Sequence, residues 1–247
     1  MSAARVGTIV KYCMLAVLLG IFVYFVFTLN RPGSYTPSYS VAQGVGILKY
    51  PQNQTAFKFV TPENVTIITD PFFMNEKIPA DIVTESHQHL DHTDTSQITG
   101  DYTLLKKSGA FDVAGIHIVG YPGIHDKGDT TETNIIFVFD IDGIRIAQFG
   151  SQGAIPDDAT LAKIGSVDVL IIQFMDFYTK MSPAEAATVA ADLHAKIIIP
   201  AHGDPTMNDD LAELLGIEMV SEASGQINVT RDTLDKMETP EVIVLDN

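Results

Sequence analysis

The chain has 247 residues, 46% hydrophobic and 19% charged, which suits one sizeable folded domain and excludes wholesale disorder. Its 31 acidic against 15 basic residues leave a formal net charge of −16, which excludes the basic stripe that a nucleic-acid partner requires. A single cysteine, Cys13, excludes an intrachain disulfide and a cysteine-built metal site.

Residues 12–29, YCMLAVLLGIFVYFVFTL, carry no charge, and at about 1.5 Å per residue a helix of that length roughly spans a hydrocarbon core. A cleaved signal peptide would be followed by a small-x-small site, whereas Thr28-Leu29-Asn30-Arg31-Pro32 follows here. Arg5 and Lys11 precede the run and only Arg31 follows closely. The expectation is therefore a single-pass signal anchor in the cell membrane, with a cytoplasmic N-terminus and an extracytoplasmic domain. Residues 1–30 read as stub and anchor. Residues 31–40, rich in Pro, Gly and Ser, read as a stiff linker, and residues 41–247 as the folded domain.

Short β-rich runs open that domain: Gly46 to Tyr50, Phe57 to Val60, Val65 to Thr69, and Asp81 to Thr84. Further strands are expected from Gly115 to Val119 and Asn134 to Asp140. Asp142-Gly143 marks a hairpin into Ile144 to Ala147. The second half alternates helices (Asp157 to Ile164, Ser182 to Lys196, Asn208 to Leu215) with apolar strands (Val167 to Phe174, Lys196 to Pro200), the rhythm of a layered α/β domain. Ser182-Pro183-Ala184-Glu185 is a helix-entry signal, with serine as cap, proline in the first turn and Glu185 able to close the box. Glu222 to Asn247 reads as one helix and one strand that finish the domain.

The chemistry concentrates in Ser86-His87-Gln88-His89-Leu90-Asp91-His92. Residues two apart in an extended segment point the same way, so His87 and His89 can converge on one metal while Asp91 and His92 face a second. Clustered imidazoles and a carboxylate are costly core filler, and an exposed polar loop is the plain alternative. His125 and His202 sit where strands hand over to loops, as do Asp70, Ser151 and Asp176, and strand ends are where open α/β sheets place their sites. His117, alternating within a strand, and His194, closing a helix, read as structural.

The HxHxDH run, Asp70-Pro71 ahead of it, the strand-terminal His125 and the final Pro200-Ala201-His202 resemble the metallo-β-lactamase superfamily. Asn134 to Ile146 and Val167 to Leu170 resemble its ascorbate-phosphate-lactonase-like branch of hydrolases. The resemblance implies an αβ/βα four-layer sandwich of the α/β class, preceded here by the transmembrane helix. It also implies one or two metal ions, usually zinc and sometimes manganese or iron. Carried over, His87, His89 and His125 form the first metal site and Asp91, His92 and His202 the second. Asp70 orients a ligand histidine, and Asp91 is the catalytic group that positions or deprotonates water. The branch carries a metal-bridging aspartate where this chain has Ser151. A neutral hydroxyl lacks its charge and reach, so one firm metal and a weak, absent or differently ligated second are expected. Asp176 is the candidate substitute carboxylate, as ligand or base.

The expected activity is metal-dependent hydrolysis of a small ester, lactone, amide or phosphoester. The acidic surface makes a strongly anionic substrate the less natural choice. Two other classes stay open: a degenerate member that binds metal or ligand without turnover, and a single-metal iron redox enzyme.

Overall fold

The computed structural model describes residues 44–50, 55–129, 131, 133–175, 178–201 and 206–246. Strands run in chain order over Val45–Lys49 (β1), Phe57–Val60 (β2), Thr66–Thr69 (β3), Ile78–Pro79 (β4), Ile82–Thr84 (β5), Ile98–Thr99 (β6), Thr103–Leu105 (β7) and Gly109–Val113 (β8). They continue over Ile116–Ile124 (β9), Thr133–Ile141 (β10), Ile144–Gln148 (β11), Val169–Ile172 (β12), Ile197–Pro200 (β13), Met219–Glu222 (β14), Gln226–Val229 (β15) and Glu241–Leu245 (β16). The α-helices are Asp158–Ile164 (α1), Pro183–Asp192 (α2), Thr206–Leu215 (α3) and Arg231–Lys236 (α4).

Two sheets result, ordered β15-β1-β2-β3-β5-β7 and β14-β16-β13-β12-β11-β10-β9-β8, with a small β4-β6 ladder beside them. The core lies between the two large sheets, where Phe57, Phe59 and Ile67 of the first meet Phe137, Phe139, Ile171 and Ile199 of the second. Phe59 and Phe139 pack edge to face, with centroids 5.4 Å apart. Period-two alternation explains why the apolar run of β10 is nearly continuous. Ile135, Phe137 and Phe139 point into that core. Ile136 and Val138 point outward against Leu161 and Ile164 of α1 and Ala186 and Val189 of α2.

The expected layering therefore appears on the second sheet. Over the outer face of the first, among the described residues, Ile68 and Val83 are covered by Met74, Ile78, Ala80 and Ile98 of the loops and the β4-β6 ladder. No helix lies in that cluster. Its covering pieces are too short to show a periodic pattern in sequence.

Several elements depart from expectation for local reasons. The second helix stops at Asp192 rather than near Lys196. His194 takes a left-handed φ of 50°, and Ala195 N–H bonds back to Ala190 O at 3.0 Å, a closure that usually advertises itself with glycine. Strand β9 continues through Pro122 and Gly123 to Ile124. Pro122 lies beyond the last residue that β8 pairs, where a missing N–H costs no ladder bond on that side. The C-terminal segment contributes more than one helix and one strand, since β15 crosses to pair with β1. The hairpin is as expected, with Asp142 at φ 49° and Gly143 at 73°.

Among the described residues no helix is long and apolar enough to cross a membrane. The apolar run 12–29 and the linker 31–40 lie outside the described residues, as do Asp176 and His202.

Candidate metal centre

Parallel β3 and β5 end side by side, and the chain beyond each supplies the first polar groups. Asp70 follows β3, wholly buried, at a left-handed φ of 46°. Its Oδ1 accepts from Ser86 N at 2.7 Å, and its Oδ2 from Ser86 Oγ at 2.9 Å and Gln148 Nε2 at 2.7 Å. A buried carboxylate needs such a set of donors to be tolerated. His92 Nδ1 lies 3.0 Å from Asp70 Oδ2 and 3.4 Å from Ser86 Oγ. Acceptors on that side place the ring proton on Nδ1 and leave Nε2 as the lone-pair nitrogen. Ser86 spends its own proton on Asp70, so at 3.2 Å its oxygen accepts from His87 Nδ1, which fixes the same tautomer there.

Ser86 also ties the sheets together, since Ile135 N donates to its carbonyl at 2.8 Å. Gly150, at φ 56°, packs against it, and any Cβ there would collide with Ser86 and Asn134. This close approach, which sequence spacing does not reveal, brings the end of β11 up to the histidine segment.

Beyond β5, the segment from Glu85 enters a 3₁₀ turn over Leu90–His92. Ring centroids separate by 4.8 Å for His87 and His89, 4.0 Å for His87 and His92, 4.6 Å for His87 and His125, and 4.6 Å for His89 and His125. One nitrogen from each of His87, His89 and His125 falls within 4.8 Å of the others, and so do single atoms of His87, Asp91 and His92. Burial first, then the imidazoles of His92, His125 and His89, and last the Lys180 ammonium, push the His87 pKa down from 6.5 to about 2. Its ring is thus a neutral donor at any ordinary pH. Converging imidazoles, with His87 held neutral, suit a zinc-type cation, so the donor set fits the first metal site.

Asp91 stands beside the cluster with its side chain 47% exposed and Oδ2 3.7 Å from His92 Nε2. Its backbone carbonyl accepts from Thr55 Oγ1 at 2.9 Å. Ser151 is buried, its N–H donating to Asn134 Oδ1 at 3.1 Å. Asn134 in turn donates to Phe149 O at 2.9 Å and Gln152 Oε1 at 3.1 Å, which holds the turn after β11. His117 pairs with Asp112 at 2.7 Å, on an exposed edge away from these residues.

Lys180 stands in this centre without any sequence motif pointing to it. Its Nζ lies 3.0 Å from Ser151 Oγ, 3.0 Å from His125 Nε2, 2.9 Å from His125 O and 2.8 Å from Asp126 Oδ1. Although burial works against it, the Lys180 hydrogen bond and charge hold the Asp126 carboxyl below the usual range. The loop is pinned twice more, by Lys127 N to Thr179 O at 2.8 Å and Lys127 Nζ to Glu185 Oε2 at 2.6 Å. The only sequence hint is a lone basic residue in a strand-end loop of an acidic chain. Ser86, Gln148 and Asn134 carry no hint, because their importance lies in what they touch.

A sequence profile described as the beta-lactamase superfamily domain matches residues 51–202, which hold every part of this centre. The chain belongs to the metallo-β-lactamase superfamily. A metal-dependent hydrolase of Listeria innocua is 29% identical over 188 residues, covering 60% of this chain and 82% of the relative. One of Methanobrevibacter smithii is 25% identical over 193 residues, covering 60% and 78%. A solved structure from Thermotoga maritima, described as a Zn-dependent hydrolase of the metallo-β-lactamase superfamily, superposes with a TM-score of 0.67 at 30% identity. It covers 82% of this chain and 98% of that one. The superfamily's α/β fold thus accounts for both sheets and for the meeting of strand ends at one rim.

Proposed function

We propose that this metallo-β-lactamase superfamily member is a metal-dependent hydrolase of a neutral small ester, lactone or amide, with phosphoesters less favoured. The observation that carries it is the convergence of His87, His89 and His125 on one point, beside the half-exposed Asp91. The names of the relatives support the reaction class.

His87, His89 and His125 would hold the first cation; Asp91, His92 and His202 are what the resemblance offers for a second, which Ser151 in place of a carboxylate would leave weak or absent. A bound zinc, manganese or iron ion supplies Lewis acidity and brings the pKa of coordinated water toward about 7. The chain's own groups do the rest. Asp70 and Ser86 fix the tautomers of His92 and His87, so that lone pairs and not protons face inward. Asp91 orients the attacking water and takes its proton. The net charge of −16 favours a neutral substrate over an anion.

The test strips the protein with a chelator and restores single metals against a panel of neutral esters, lactones and amides. Hydrolysis should vanish and return with metal, and Asp91→Asn should lower kcat by about 10²-fold or more while metal stays bound. Metal retained with no turnover on any substrate would favour the non-catalytic reading, for which Ser151 is the motivating residue. One iron per chain as purified would favour the redox reading.

The proposed setting is the cell membrane, with residues 12–29 as the anchor and the hydrolase outside. The charge-free run and the positive residues before it support this reading. Nucleic acid is not a proposed partner, given the net charge.

A further inference from the structure

The ammonium of Lys180 sits against Ser151, the position at which the superfamily resemblance puts a metal-bridging carboxylate. We propose that Lys180 is a built-in monovalent cation which, with Ser151, takes the place of a second metal ion, so that each chain holds one. This rests on the metal-dependent reading above and deepens it.

The lysine is placed as deliberately as a ligand would be. Its side chain is only 11% exposed and carries its own counter-ion, Asp126 at 2.8 Å. A –NH₃⁺ group has three protons, and five acceptor atoms lie around this one, both ring nitrogens of His125 among them. Asp126, the His125 carbonyl and Ser151 Oγ can take all three, so the ammonium keeps its seat when His125 Nε2 turns to a cation at the three-histidine position. Asp126 Oδ1 also lies 3.2 Å from His125 Nδ1, and the ammonium lies 3.3 Å from that same nitrogen. The His125 and Lys180 loops together thus bracket the first site and the space beside it.

Charge decides the rest. A bridging carboxylate would add −1 between two dications. A hydroxyl plus the Lys180–Asp126 pair adds no net charge instead, and the ammonium is the member of that pair that touches Ser151. The negative charge that would hold two dications together is missing, and the ammonium, 11% exposed, repels a second dication at short range. Asp91 and His92 still face the region, yet a second dication would have to displace Lys180 or endure it.

The experiment counts metal in the full chain. Chelated protein is equilibrated with excess zinc, desalted, and zinc per chain is measured by mass spectrometry, with cobalt(II) titration followed by visible absorbance as an independent reading. Wild type should hold one zinc, and its cobalt absorbance should saturate at one equivalent. Lys180→Met should bind a second ion at least tenfold more tightly than wild type, and Ser151→Asp combined with Lys180→Met should hold two. Two tightly bound ions in wild type, an unchanged second affinity in Lys180→Met, or a natively folded double variant holding one would each overturn the inference while leaving the first site intact. No zinc and no cobalt in wild type would overturn the metal-dependent reading itself, and this inference with it. Should the double variant fail to fold, the cobalt endpoint of wild type and the Lys180→Met affinity still decide the matter.

Discussion

At the scale of single residues, the centre depends on groups that hold histidines in place. Asp70 reaches both imidazole systems, directly at His92 and through Ser86 at His87. Asp70→Asn keeps the shape but removes the charge and turns one acceptor into a donor. It should weaken zinc affinity about 10–100-fold with little change in fold, measured by competition against a chelating dye; unaltered affinity would show that the histidines orient themselves. His87 supplies a pH dependence whose sign is fixed. Its native pKa near 2 lies below the ordinary 6.5, so between those values the unfolded chain binds the proton and the native one does not. Its contribution to the stability of metal-free protein is complete above about pH 6.5 and declines on acidification by at most about 1.4 kcal/mol per pH unit. Denaturant melts of metal-free wild type and His87→Gln from pH 7 to pH 4 should show the steeper loss in wild type, and parallel curves would refute this.

At the scale of elements, the loop after β12 matters as much as the histidine segment. Helix α2 begins at a complete capping box, Ser182 Oγ accepting from Glu185 N at 3.3 Å and Ser182 N donating to Glu185 Oε2 at 2.8 Å. The same Glu185 oxygen meets Lys127, so the cap anchors the His125 loop to the Lys180 loop. Ser182→Ala should cost about 1 kcal/mol in a urea melt. It should also loosen Lys180, seen as faster amide exchange at Lys127, whose N–H bonds Thr179 O. Loss of stability without that change would mean that the cap serves only the helix. The helix start was readable because capping is local chemistry. The helix end was not, because His194 rather than glycine takes the left-handed turn.

At the scale of the whole molecule, two sheets share one apolar core and place their strand ends at a common rim. The proposed anchor is a matter of this scale too. Full-length protein should sediment with membranes and resist alkaline extraction, whereas a chain starting at Gln43 should be soluble and keep its metal. Recovery of the full chain in the soluble fraction would remove the anchor from the proposal.

The histidine run, the strand-end positions of His125 and Ser151, the hairpin and most strand positions were legible in the sequence. Each is a local pattern: a two-residue period, a turn pair, or ligand-type residues a few positions apart. Only the tertiary structure brought Gln148 to Asp70, Asn134 to the turn holding Ser151, and Lys180 into the cluster, across 78, 17 and 29 residues of chain. Contacts at such separations depend on how sheets twist, pair and pack, and a buried polar atom reveals its partner only when the chain has closed around it.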